Sequence, residues 1–461
     1  MKDKEFLGKG SVLKLIIKLS IPTIIAQIVN LLYNIIDRIY IGHMENIGSL
    51  ALTGVGVCMP IIIVISAFAA LVGYGAAPKA SIYLGKKEED KAEVIVGNSF
   101  SLLIIIGILL TIITLIFSKD LLFLFGASNT TILYANNYMK IYALGTIFVL
   151  ISIGMNSFIS AQGFTKISMM SVLIGAVLNC ILDPIFIFDW GLGLGVEGAA
   201  LATILSQFVT FSQAASALFV VLFLTSNKPI VKLKFKNLKL NMKLILPCLA
   251  LGLSPFVMQF TEAVIMVCFN SSLKKYGGDI AVGSMTILSS LMQFSMLPLM
   301  GLSQGAQPVT SYNFGAKNPD RVKKSFKYLL IISVSYSFIF WILLMLLPNS
   351  FASMIVNDSS YIEYTAWAIR IYFAVSCIFG IQIACQQTFI AIGNAPVSLF
   401  LAVLRKLILL IPLIYILPLV FSNKVMAVYL AEPIADFVAV TVTSITFFKV
   451  FRKTVKELKI I

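Results

Sequence analysis

Twelve apolar stretches, each close to or beyond the roughly 20 residues a helix needs to cross a hydrocarbon core, leave this chain few folds to choose from. They cover about 15–42, 49–77, 94–118, 132–155, 166–188, 196–224, 244–273, 280–307, 325–348, 362–386, 397–420 and 425–448. Inside a bilayer the backbone must satisfy its own hydrogen bonds, so each stretch is expected to be a helix. Only 12% of the 461 residues are charged, about half the roughly 25% of a soluble domain. The first apolar run continues into a span-length segment, which reads as an uncleaved first helix rather than a leader.

Basic residues collect at alternate connections: up to Lys18, over 79–91, at Lys166, over 228–243 and 317–327, at Arg405 and Lys406, and over 449–459. These hold 28 of the 35 lysines and arginines, which by the positive-inside rule puts both termini and the 225–243 connection in the cytoplasm. Such scattered anchors are not the continuous stripe that binds nucleic acid. The connection divides the chain into an N-lobe (1–224) and a C-lobe (244–461) of six helices each.

The lobes repeat one another. Gly75-Ala-Ala-Pro78 followed by Tyr83-Leu-Gly85 aligns with Gly305-Ala-Gln-Pro308 followed by Asn313-Phe-Gly315 at an offset of 230. Asp90-Lys91 and Gly163 meet Asp320-Arg321 and Gly393 at the same offset, and Val196–Thr203 meets Val425–Glu432 at 229. An even number of helices per repeat gives parallel copies related by an axis along the membrane normal, an arrangement suited to alternating access. The expected fold is therefore an all-α membrane protein of 12 transmembrane helices in two pseudo-two-fold-related bundles.

Several chemistries are excluded. His43 is the only histidine, which removes a histidine metal site or catalytic triad. The six cysteines are scattered without a CxxC pair and read as small packing residues. No GxxxxGK[ST] loop occurs, so ATP is not the expected energy source. A membrane-embedded enzyme would need a clustered nucleophile and base or a metal motif, and none is seen.

The informative residues are acids at depth. Asn179 and Asp183 lie four apart on one helical face, followed by Pro184. By helical rise, Asp37, Asp183 and Thr203 each lie about 9–10 Å inside their outer helix ends, so with Asn179 they share one level. Two carboxylates crowded in low dielectric cannot both stay ionised. Such a cluster can exchange a proton near physiological pH, and the same oxygens suit Na⁺. A static hydrogen-bonded network that specifies packing is the alternative. In the C-lobe, Glu262 and Asp436 lie about 18 Å in, near the bilayer middle, and Glu432 precedes Asp436 by one turn. Glu262 and Asp436 either neutralise a cationic substrate or form a second coupling site; the alternative pairs Glu432 or Asp436 with Arg370 or Arg405. Gln259 and Gln304 either line a cavity or bond between helices. Met292 and Met296 offer an adaptable substrate wall or plain packing.

Gly305-Ala-Gln-Pro308 leading to Ser311-Tyr-Asn-Phe-Gly315, Gly198-Ala-Ala-Leu-Ala-Thr203, Leu182-Asp-Pro-Ile185 and Leu430-Ala-Glu-Pro-Ile-Ala-Asp436 together resemble the multidrug and toxic compound extrusion (MATE) family, in its MepA-like bacterial branch. The resemblance covers about residues 15 to 450. It implies a multi-pass bacterial cell-membrane antiporter, driven by H⁺ or Na⁺, that exports hydrophobic and often cationic xenobiotics and confers antibiotic resistance. Its partners would be those small molecules and membrane lipids, with no cofactor. The family's N-lobe ion site carries over onto Asp37, Asn179, Asp183 and Thr203, with Na⁺ held at Asp37 and Asp183. Its helix-7 glutamate carries over onto Glu262, but the span around Trp367–Gln387 lacks the carboxylate that some members use beside it. The nearest rival is a lipid-linked oligosaccharide flippase of the related transporter family, whose cavity should be cationic.

Overall fold

The computed structural model describes residues 5–44, 47–208, 216–226, 228–354 and 358–460. The helices are α1 (Val12–Gly42), α2 (Gly48–Gly85), α3 (Glu89–Leu124), α4 (Ile132–Ala161) and α5 (Thr165–Ile187). The sixth predicted span, 196–224, has described pieces α6 (Gly195–Phe208) and α7 (Ser216–Thr225); its residues 209–215 lie outside the described part. Met242–Gly315 forms one helical run of 74 residues. At 1.5 Å per residue that is about 110 Å, several times the hydrocarbon thickness. It breaks where Gly278 takes φ +66° and ψ −158°, giving α8 (242–277) and α9 (279–315). Then follow α10 (Pro319–Leu346), α11 (Pro348–Ser353), α12 (Ser359–Tyr372), α13 (Phe379–Ala391), α14 (395–420) and α15 (Lys424–Ile460).

No strand occurs among the described residues. Nine of their helices are long and apolar enough to cross a membrane. The break at Gly278 makes two of one, the bent pair α12–α13 counts as one more, and α6 is a shorter apolar helix. Where the apolar run 362–386 predicts one straight helix, α12 and its continuation through Ser376–Ala391 are bent by 50°.

The repeat is visible atom by atom. Ser81 Oγ donates to the Ala161 carbonyl at 2.6 Å, and Ser311 Oγ to Ala391 at 2.7 Å. Gly163 and Gly393 both take φ +78°, while Lys87 and Lys317 share the left-handed region at +63° and +53°. The lobes meet through α1 and α2 against α8 and α9, where small residues let backbones approach as they do between membrane helices. A Cβ on Gly85 would collide with the Tyr312 carbonyl, and one on Gly315 with the Ile82 carbonyl. Ile82 and Tyr312 are themselves repeat-related, so these two contacts are one contact seen twice across the pseudo-axis. Either Gly→Ala change is expected to overpack the seam and cost about 1–3 kcal/mol, measured as a lower melting temperature in detergent.

Candidate functional site

Asp37 lies near the end of α1, and Asn179 and Asp183 lie one turn apart on α5, which packs along α1. All three are buried, with relative exposures of 6%, 1% and 0%. Asn179 Nδ2 donates to Asp183 Oδ1 at 2.9 Å, the bond that four-residue spacing on a helix allows. The two carboxylates are close enough to act on one another electrostatically. Asp37 Oδ1, Asp183 Oδ2 and Asn179 Oδ1 are buried acceptors with no donor among the described residues. Pro184 does not break the helix; it sits in the last turn of α5, which continues to Ile187.

Thr203, half-buried on α6, does not join these oxygens directly. It lies beside Tyr138 of α4, and Tyr138 lies within electrostatic range of Asp37. Tyr138 and Tyr142 stack with ring centroids 6.2 Å apart. Sequence alone does not single out Tyr138, because a tyrosine nearly two turns into an apolar span has the signature of packing. Its tie to Thr203 would have been the only clue, and that depends on how α4 meets α6.

In the C-lobe the acids are already engaged. Arg405 Nε donates to Asp436 Oδ1 at 2.6 Å and its Nη2 to Glu432 Oε1 at 2.9 Å. Its guanidinium lies 4.6 Å from the Phe379 ring centroid. Lys406 Nζ donates to Glu262 Oε1 at 2.6 Å. The loop-anchor reading of Arg405 and Lys406 is therefore corrected: both are 5% exposed and lie inside the span 395–420. Within the π-helical turn Leu404–Leu410, Arg405 reaches acids on α15 and Lys406 one on α8. Glu262 keeps a 56% exposed side chain, while Glu432 and Asp436 are buried. Arg370 is exposed and takes no part.

The remaining candidates lie on α8 and α9. Gln304 accepts from Gln27 Nε2 at 3.2 Å between α9 and α1, and it also meets Tyr74 of α2. Gln259 is half-buried on α8, three residues from Glu262. Met292 and Met296 pack against C-lobe core clusters.

Comparison with known proteins fits this architecture. The MatE family matches residues 22–185 and 255–416, one stretch in each half. The multidrug export protein MepA of Staphylococcus aureus (strain N315) is 28% identical over 449 residues, 96% of each chain. MepA of Staphylococcus haemolyticus (strain JCSC1435) is 27% identical over 444 residues, 95% of each. A solved outward-facing multidrug resistance MATE family transporter of the MOP superfamily superposes with a TM-score of 0.89 at 24% identity, covering 100% of this chain and 99% of that one. With two helical repeats and matches over most of its length, the chain belongs to the MATE family and is a multi-pass membrane transporter, not an enzyme.

Proposed function

We propose that this chain is an antiporter that exports hydrophobic, often cationic small molecules from the cytoplasm, driven by inward movement of H⁺ or Na⁺. One observation carries the reading: Asp37 on α1, and Asn179 and Asp183 on the α5 that packs along it, leave three buried acceptor oxygens without donors among the described residues. Carboxylate oxygens left without donors at such depth are costly, and a proton or a hard cation relieves that cost. The S. aureus and S. haemolyticus relatives, named multidrug export proteins, support drugs as cargo. Their bacterial source supports the cell membrane as location, and the basic connections support cytoplasmic termini.

Helix α1 is the element through which ion binding would reach the rest of the molecule. Asp37 is at one end; nearer the other, Ser20 Oγ donates to Leu302 at 3.1 Å and Thr23 Oγ1 to Gly301 at 2.5 Å across the lobes. A charge change at Asp37 alters how α1 seats on α5, and the cross-lobe bonds carry the change to the C-lobe. Glu262 is the candidate contact for the positive charge of a cargo, as the one accessible acid of its cluster. A flippase cavity would need free cationic side chains for pyrophosphate, whereas Arg405 and Lys406 are both held by carboxylates.

Ethidium efflux from proteoliposomes under separately imposed proton and Na⁺ gradients tests the proposal. One of the two gradients is expected to drive export; transport indifferent to both removes the antiport reading.

A further inference from the structure

Residues 5–10 precede α1 yet are fastened to the opposite lobe. The guanidinium of Arg321, at the start of α10, donates to three main-chain carbonyls: Nη1 to Gly10 at 2.7 Å, and Nη2 to Lys9 at 3.2 Å and Leu7 at 3.3 Å. Asn313 Nδ2, near the end of α9, donates to the same Leu7 carbonyl at 3.0 Å. Its side-chain oxygen accepts from Arg321 Nε at 2.9 Å, which fixes the orientation of the fork. Arg321 pairs with no carboxylate among the described residues. A rigid planar fork spent on carbonyls recognises a backbone shape, which a flexible ammonium does poorly.

The same six residues also grip the N-lobe. Glu5 pairs with Lys87, in the α2–α3 turn, at 3.0 Å. The Phe6 ring covers Gly163, in the α4–α5 turn, so closely that a Cβ there would collide with it. Leu7 is fully buried between the two attachments. Gly10 ends the strap at φ +72°, a conformation that favours glycine.

The strap has a repeat-related counterpart. The 3₁₀ turn Phe6–Gly8 corresponds to a second one, Phe235–Asn237, which precedes α8 and docks on α3 of the N-lobe. There Asn98 donates to the Asn237 and Lys239 carbonyls, both at 3.0 Å, and Ser101 to Leu238 at 2.7 Å. Each lobe's leader is thus tied to the other lobe, at the end of the molecule where the linker runs.

We infer that Arg321 is a positioning residue of the transport cycle: with residues 5–10 it forms a clasp across the two lobes that holds the linker end shut. Opening that end, as alternating access demands, requires the carbonyls of Leu7, Lys9 and Gly10 to leave Arg321. The inference rests on the transport reading proposed above, because it assigns a step within that cycle.

Spin labels at Lys166→Cys in the N-lobe and Lys324→Cys in the C-lobe, both exposed, report the separation of the linker end. The full-length protein in lipid nanodiscs serves as parent, with Cys180 and Cys377 replaced by alanine because the other four cysteines are buried. Relative to that parent, Arg321→Gln is expected to raise the long-distance population about threefold in double electron–electron resonance. Gly10→Ala, which strains the strap without deleting a side-chain contact, shifts it the same way and stands in if Arg321→Gln folds poorly. Lys323→Gln, a neutral change in the same turn, leaves the distribution alone. Superposable distributions for Gly10→Ala and every folded Arg321→Gln sample overturn the clasp, as does an equal shift from Lys323→Gln. Ethidium efflux separates the two ideas: driven export with unchanged distances removes only the clasp, and shifted distances without driven export remove only the antiport reading.

Discussion

Asp37→Asn and Asp183→Asn are each expected to cut gradient-driven ethidium export at least about tenfold, equivalent to about 1.4 kcal/mol or more in transition-state terms. The amide keeps the size of the carboxylate but removes its charge and most of its capacity to take up a proton. Because these side chains are 6% and 0% exposed, the substitution relieves buried charge rather than creating it. The melting temperature in detergent should therefore hold or rise while coupling is lost. That pairing separates a functional site from a packing network, in which stability and activity fall together. Export at the wild-type rate in both variants would remove Asp37 and Asp183 from the mechanism.

Arg405→Met should have the largest effect on stability. It leaves Glu432 and Asp436 buried without their cation, and breaking a buried ion pair in this way costs about 3–5 kcal/mol. Loss of monodisperse protein on size exclusion, or a melting temperature many degrees lower, is the expected result. The triple variant Arg405→Met, Glu432→Gln, Asp436→Asn removes the charges together and should recover most of the loss, since replacing a whole buried network by neutral groups is often close to neutral. An Arg405→Met protein that melts with the wild type would mean that this cluster does not hold α14 to α15. The opposite signs expected in the two lobes reflect one difference: the N-lobe acids have oxygens without donors among the described residues, and the buried C-lobe acids have a cation.

Much of this was legible in the residues alone. Span length and apolarity determine the helices, because hydrocarbon forces a chain to satisfy its backbone locally. The 230-residue offset determines the repeat, and the structure returns it in matched hydrogen bonds and matched backbone angles. Depth counted along each helix puts Asp37, Asn179, Asp183 and Thr203 at one level, and α1 packs along α5. The helices were legible because hydrocarbon makes each a local matter, and the repeat because it is written twice in the residues.

What only the tertiary structure decided lies between helices, where spacing carries no information. Arg405 and Lys406 look like a loop anchor until a π turn and three acids from α8 and α15 make the interior their cheapest place. Tyr138 looks like packing until α6 brings Thr203 to it. Arg321 looks like one more positive-inside charge until the chain's own leader crosses to it. A charged side chain goes where its partners are, and partners 27 to 311 residues away are chosen by the fold. The one-dimensional sequence therefore determined which segments span and which residues reach the same depth; the three-dimensional structure decided which charges are satisfied.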